Sequence, residues 1–257
     1  MTFEPIMVLV DRDVCLRYNR YGKRGVRTME DLLRRRLEDV RGRIRDAARR
    51  AGRSADDIRL IVVTKTVGVD VIRALLRCGV GDIGENYVQQ AMAKKESLRD
   101  VADKVRWHMI GHLQRNKAKK AVQLFDCVHS VDSVRLADEL GKRSLAAGKV
   151  MPVFVEVKTS EEATKFGISE EEAPRLVEHI LGVKGLRFEG LMTMAPFFED
   201  SEKARPYFAR LRELSERLRR EFGVVCRLSM GMTADYEVAV EEGATDVRIG
   251  TAIVGGL

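Results

Sequence analysis

Leu60-Ile61-Val62-Val63-Thr64-Lys65 is a short apolar, β-branched run that ends in one lysine before Thr66-Val67-Gly68. Its length and composition predict a buried strand, and on a period of two Ile61, Val63 and Lys65 share a face. The lysine then points where the strand's apolar side chains point. An ammonium there is paired, solvated in a cleft, or neutral, and partial desolvation lowers its pKa and leaves a nucleophilic amine. The plain alternative is a lysine snorkelling outward from a strand end.

Outward from this run, apolar strands and amphipathic helices alternate. Upstream, Leu33, Leu37, Val40, Ile44, Ala47 and Ala51 recur at helical spacing from Met29 until Gly52. Their Arg-rich opposite face is interrupted by Glu38, Asp39 and Asp46, which predicts a solvated surface rather than an RNA-binding stripe. Downstream, strands are predicted at 82–85, 106–110, 127–131, 151–157, 185–192, 224–228 and 246–249. Helices between them are predicted at 71–78, 86–98, 114–124, 133–147, 170–181, 201–222 and 236–242. Pro206 falls in the first or second turn of the 201–222 helix, where proline is tolerated. Eight strands with seven intervening helices predict a single-domain (β/α)8 TIM barrel over 29–257, the helix at its front closing the ring of helices. Residues 1–28 lack a clean period and a signal-peptide pattern, and are expected to be an extension or an early start.

The totals agree with a soluble, cytoplasmic protein: 45% apolar and 33% charged residues, with no apolar run of membrane-spanning length. A net charge of +7 is spread among 39 acidic residues, so nucleic acid is not the expected partner. Cys15, Cys78, Cys127 and Cys226 are far apart and form no CxxC pair, which predicts reduced, mostly buried thiols and no zinc site. His108 and His112 have metal-ligand spacing for a helix, but they fall on a strand running into the Gly111 turn. No metal is expected there.

In such a barrel the chemistry gathers at the C-terminal strand ends, and phosphates are commonly held by the loops after strands seven and eight. Here those loops read Ser229-Met230-Gly231-Met232-Thr233 and Gly250-Thr251, glycines for close approach beside hydroxyl donors. Arg248 alternates with the outward Val247 and Ile249, so its guanidinium aims into the barrel and needs an acceptor. Glu85, Glu156 or the nitrogen of a bound heterocycle could serve. A lysine at strand one, phosphate donors at strands seven and eight, and an inward arginine describe a pyridoxal phosphate pocket.

At this point Thr64-Lys65-Thr66, Gly84-Glu85-Asn86-Tyr87-Val88-Gln89, Trp107 to Lys117, Gly190-Leu191-Met192, Ser229 to Met232 and Val247 to Thr251 can be read together. The chain closely resembles the pyridoxal phosphate homeostasis protein family, which is similar to the barrel domain of alanine racemase standing alone. The resemblance implies that Lys65 carries pyridoxal 5'-phosphate as a Schiff base. It also implies that Ser229, Gly231, Gly250 and Thr251 hold the phosphate, that Arg248 faces the pyridine nitrogen, and that Asn86 and Met232 line the pocket. His112 belongs to the same rim or is a hydrogen-bonded turn histidine.

Racemisation needs a second base opposite the lysine, which alanine racemase builds with a further domain and a partner subunit. Tyr87 and Tyr236 are the tyrosines nearest the predicted rim. A pyridine nitrogen facing a guanidinium stays unprotonated and is a weak electron sink. The expectation is therefore a monomeric carrier that buffers the cofactor or delivers it to apo-enzymes. The alternative is a weak racemase using Lys65 as base. A third reading, nucleic-acid binding through the basic N-terminal segment, predicts salt-sensitive binding lost on deleting residues 1–28.

Overall fold

The computed structural model describes residues 28–160 and 166–257. Apart from Thr28, the expected N-terminal extension lies outside the described residues, as does Cys15. The chain opens with α1 (Met29–Arg50), which starts at a capping box. Thr28 Oγ1 accepts from the Asp31 amide at 3.1 Å, and Asp31 Oδ2 accepts from the Thr28 amide at 3.1 Å. Leu33, Leu37, Val40, Ile44 and Ala47 form its buried stripe, as their spacing predicts.

Eight parallel strands follow: β1 (Arg59–Val63), β2 (Asp82–Glu85), β3 (Arg106–Met109), β4 (Cys127–Val131), β5 (Met151–Glu156), β6 (Leu186–Met192), β7 (Arg227–Ser229) and β8 (Asp246–Ile249). They close in chain order, with β8 returning to β1 through the pairs Arg59–Asp246 and Val62–Ile249. Between them run α2 (Val69–Arg77), α3 (Val88–Ser97), α4 (Ala118–Leu124), α5 (Val134–Ala146), α6 (Ala173–Gly182), α7 (Arg205–Phe222) and α8 (Tyr236–Glu241). The chain is a TIM barrel, and the alternating pattern of the sequence is what dictates it.

Closure of the helical ring differs in one respect from the expected arrangement. A further short helix, α9 (Thr251–Val254), follows β8 and packs against α1 at the seam. Arg36 on α1 ties it down, donating from Nη1 to the carbonyls of Ile253 and Gly255, each at 2.9 Å. These are the orphan carbonyls of a helix end, which a cation satisfies.

The main core lies between barrel and helices and includes Val62, Ile83, Trp107, Val128, Val153, Leu191, Leu228 and Val247, the outward residues of the strands. The barrel interior is smaller and mixed. Ile61, Cys127, Phe154 and Met192 are buried there among His108, His129, Ser229 and Arg248. Among the described residues no helix is long and apolar enough to cross a membrane.

Candidate functional site

Lys65 lies just beyond β1 rather than within it. The strand ends at Val63, and Lys65 occupies the turn after Thr64, exposed and without a hydrogen-bond or ion-pair partner among the described residues. The expected strand placement is thus corrected by two residues, because the Val67 amide turns back to the Thr64 carbonyl at 3.1 Å. The foot of this turn is firmly set. Thr64 Oγ1 donates to Glu85 Oε1 at 2.6 Å, and Lys94 Nζ donates to Glu85 Oε1 at 2.8 Å and to the Thr64 carbonyl at 2.7 Å.

The loops after β7 and β8 meet beside this turn. Gly231 has φ 93°, and a Cβ there would lie 2.6 Å from the Ala239 Cβ, so only glycine fits. Its carbonyl accepts from the Arg248 amide at 3.0 Å, locking the two strand ends together. The Met232 amide is held by Asp235 Oδ1 at 2.6 Å, and the Ala252 amide reaches Thr233 Oγ1 at 3.4 Å. Gly250 packs against Val63, where a Cβ would stand 3.3 Å from the Val63 Cβ. Gly231, Met232, Gly250 and Thr251 therefore sit at one end of the barrel, the end at which Lys65 leaves β1. Thr251 opens α9, where the Ile253 and Val254 amides both donate to the Gly250 carbonyl at 2.9 Å.

Arg248 is buried in the interior, as the alternation of β8 predicts, but its acceptors differ from the expected carboxylates. Nη1 donates to Ser229 Oγ at 2.7 Å and Nη2 to the Thr193 carbonyl at 2.9 Å. Among the described residues no carboxylate comes within 4 Å of the guanidinium, since Glu85 is taken by Lys94 and Thr64. Burial lowers the Arg248 pKa to about 10, against the opposing charges of Asp235, Glu156 and Asp246. It remains a cation, with N–H donors beyond these two bonds.

Ser229 is buried with Arg248, and its hydroxyl also meets His129 Nδ1 at 2.9 Å. Its side chain is engaged inside the barrel, below the loops that carry Gly231 and Thr251. Glu156, at the end of β5, is 3% exposed, and its Oε2 has no hydrogen-bond partner among the described residues. Burial, reinforced by the charge of Asp132, pushes its carboxyl up to about 7 in spite of Arg248 and Lys158.

A cleft of about 470 Å³ opens over the loops after β2 and β3, lined by Asn86, Tyr87, His112, Lys117, Phe166 and Met194 among others. It brings together Asn86, Tyr87 and His112 of the expected residues and leaves the other candidates outside its lining. Gly111 makes it possible, because a Cβ there would lie 2.5 Å from the Asn86 carbonyl oxygen. His112 stacks on Phe166 with ring centroids 3.8 Å apart, and its Nδ1 is 3.5 Å from Asp132 Oδ2. His108, by contrast, is buried in the barrel, so the two histidines do not face a common point. Tyr236 is not a rim residue: it is buried, with the Arg43 guanidinium 5.7 Å from its ring centroid.

His108, His129 and Cys127 offer ligand atoms within 4.8 Å of one another, a grouping that the sequence does not announce. All four imidazole nitrogens are already used, however. His108 Nδ1 meets His129 Nε2 at 2.9 Å, His108 Nε2 meets Asp82 Oδ1 at 2.8 Å, and His129 Nδ1 meets Ser229. Burial raises the Cys127 thiol far above its ordinary value, so it stays protonated. Period-two spacing along β3 and β4 is the available signal that these side chains point inward.

Residues 36–257 match the family profile described as alanine racemase, N-terminal domain. A pyridoxal phosphate homeostasis protein of Aquifex aeolicus is 44% identical over 221 residues, covering 86% of this chain and 96% of that protein. The solved structure of PipY from Synechococcus elongatus, with PLP bound, superposes with a TM-score of 0.77 at 32% identity, covering 87% of this chain and all of that one. An alanine racemase of Clostridium difficile, 15% identical, shares the fold with a TM-score of 0.68 over 87% of this chain and 56% of its own.

Proposed function

The chain belongs to the pyridoxal phosphate homeostasis protein family, and we propose that it binds pyridoxal 5'-phosphate at the C-terminal end of its barrel and buffers or delivers it inside the cell. The observation that carries this reading is Arg248, a buried guanidinium with no carboxylate within 4 Å among the described residues. Such a charge calls for an acceptor from outside the chain, and a ring nitrogen at the barrel mouth supplies one.

The remaining parts fit the same group. The Gly231 cradle and the start of α9 at Thr251 suit a phosphate, with Gly250 letting the backbone come close. Lys65 is exposed at that end of the barrel and unpaired among the described residues, free to hold the cofactor covalently. When bound, pyridoxal phosphate supplies an aldehyde that condenses reversibly with an amine, releasing water, and a ring that delocalises charge. Arg248, as a permanent cation, keeps a facing ring nitrogen unprotonated and so weakens that electron sink. Ser229 belongs to the seat of Arg248, with the phosphate left to Gly231, Gly250 and Thr251. Asn86 and Met232 complete the walls. Residues 29–257 form the binding domain, and the protein works as a cytoplasmic monomer that passes cofactor to apo-enzymes.

A slow racemase with Lys65 as base is the second reading, and one group favours it. Glu156, buried with one oxygen unpartnered among the described residues and a pKa of about 7, could exchange a proton near neutrality. Solvent deuterium at the α-carbon of added alanine or serine would establish that activity.

The carrier reading is tested by mixing the protein with pyridoxal phosphate, reducing with borohydride and mapping the product by peptide mass spectrometry. A single phosphopyridoxyl adduct on Lys65, absent in Lys65→Ala, is expected, followed by transfer of unreduced cofactor to an apo-enzyme. No adduct, or one scattered over surface lysines, would overturn the assignment.

A further inference from the structure

The four contacts behind Arg248 form a single line through the barrel. Arg248 Nη1 to Ser229 Oγ is 2.7 Å, Ser229 Oγ to His129 Nδ1 2.9 Å, His129 Nε2 to His108 Nδ1 2.9 Å, and His108 Nε2 to Asp82 Oδ1 2.8 Å. The line starts near the C-terminal ends of β8 and β7, crosses β4 and β3, and ends at the first residue of β2, at the opposite end of the barrel. There Arg59 Nε lies 3.6 Å from Asp82 Oδ1 and Arg59 Nη1 3.0 Å from Asp246 Oδ1, so the carboxylate is anchored.

The two ends dictate where every proton lies. A guanidinium can only donate, and an ionised carboxylate can only accept. Burial opposes the charge on Asp82, but the hydrogen bond from His108 and the neighbouring guanidinium groups of Arg59 and Arg106 favour it, and the carboxyl lies below its ordinary value. His108 Nε2 therefore carries a proton toward Asp82. With both rings uncharged, His108 Nδ1 accepts from His129 Nε2, and His129 Nδ1 accepts from the Ser229 hydroxyl. That leaves the Ser229 lone pairs for Arg248. Each donor then has one acceptor along the whole line. If His108 were charged the middle would reverse: His129 and Arg248 would both donate to Ser229, whose own proton has no acceptor among the described residues.

Other charges around the line leave this order intact. Asp235, Glu156 and Asp246 act on Arg248, while Arg248, Arg59 and Arg106 act on His129, whose burial already keeps it well below its ordinary pKa. His129 is also stacked on Phe154, with ring centroids 4.3 Å apart, so its ring cannot turn freely.

We infer that His129 and His108 are positioning residues that hold the Arg248 guanidinium against the cofactor's ring nitrogen, through one directed hydrogen-bond line that ends on Asp82. The inference rests on the reading that pyridoxal phosphate is bound with Arg248 at its ring. A fixed cation at the ring disfavours a further proton on the conjugated cofactor. A guanidinium free to swing away lets that proton return.

Two measurements test this. Nitrogen-15 NMR of the histidine-labelled wild-type protein without cofactor, assigned with His112→Gln and His179→Gln, should show His108 and His129 uncharged at pH 7.5 and protonated on Nε2. A proton on Nδ1 of either ring, or a charged ring, would overturn the line. With pyridoxal phosphate bound, the pH midpoint of its visible absorbance should rise by about half a unit to one unit in His129→Phe. His129→Gln should restore it, because an amide offers an acceptor and a donor in the same order. A midpoint unchanged in a folded His129→Phe that still forms the Lys65 adduct would overturn the inference while leaving the carrier reading intact. Loss of the adduct in the wild-type protein would remove both. Should His129→Phe fail to fold, the tautomers of the wild-type protein still decide.

Discussion

Lys94 reaches from α3 to place Nζ 2.8 Å from Oε1 of Glu85, a carboxylate with no exposed surface at the end of β2. The same ammonium holds the Thr64 carbonyl, one residue before Lys65. Removing one member of a buried pair strands the other charge. Lys94→Met should therefore cost about 3–5 kcal/mol in denaturant unfolding, and Lys94→Met/Glu85→Gln should recover part of it. Because the turn is released as well, the single variant should form less Lys65 adduct at equal cofactor. Wild-type stability in Lys94→Met would refute the arrangement.

Lys65 itself carries no structural load. It is exposed and has no partner among the described residues, so Lys65→Ala should unfold within about 0.5 kcal/mol of the wild type. A larger loss would mean that the side chain packs into the fold.

Arg248→Lys separates charge from shape. An ammonium keeps the cation but cannot span Ser229 Oγ and the Thr193 carbonyl as the fork does. Loss of one charge-assisted bond should lower stability by about 2 kcal/mol, and cofactor affinity measured by absorbance titration should fall about tenfold or more. Unchanged affinity would show that the guanidinium geometry is dispensable.

Glu156 sets a pH dependence of stability. Its folded pKa, about 7, lies above its ordinary 4.5, so the fold favours the protonated form. That preference is fully present below the unfolded value and is lost as pH rises through 7. Stability should decline between about pH 5 and about pH 8, by at most about 3 kcal/mol from this group. Chemical denaturation of Glu156→Gln across that range should show a flatter profile. An identical slope in the variant would assign the effect elsewhere.

Gly231→Ala should destabilise by about 1–3 kcal/mol, through positive φ and the contact with Ala239, and should weaken phosphate binding. Gly148 also has positive φ, but an added methyl there would meet nothing within 4 Å, so Gly148→Ala should cost less. Equal losses would rule out the packing argument.

The barrel is legible in the sequence because period-two and helical patterns are local properties, and the run from Leu60 to Val63 shows them plainly. The inward direction of Arg248 is legible too, since alternation along β8 decides it. Its partners are not: a carboxylate is the usual mate for a buried guanidinium, and Glu85 and Glu156 are the natural candidates. Glu85 is instead consumed by Lys94 and Thr64, and Arg248 turns to Ser229 and Thr193. Tyr236 departs from its expected rim position for a similar reason, as proximity to a loop in sequence does not say which way a helix start faces.

By itself the sequence determined the fold class, the family, and the end of the barrel where its lysine, glycines and arginine collect. Those follow from hydrophobic period and from motifs of contiguous residues, which need no knowledge of distant neighbours. Only the tertiary structure decided how the interior is wired. Asp82, His108, His129 and Ser229 come from four strands, successive members standing 26, 21 and 100 positions apart in the sequence, and their contacts depend on the register in which the barrel closes. A hydrogen bond is fixed to tenths of an ångström by that register, and no local pattern carries such information.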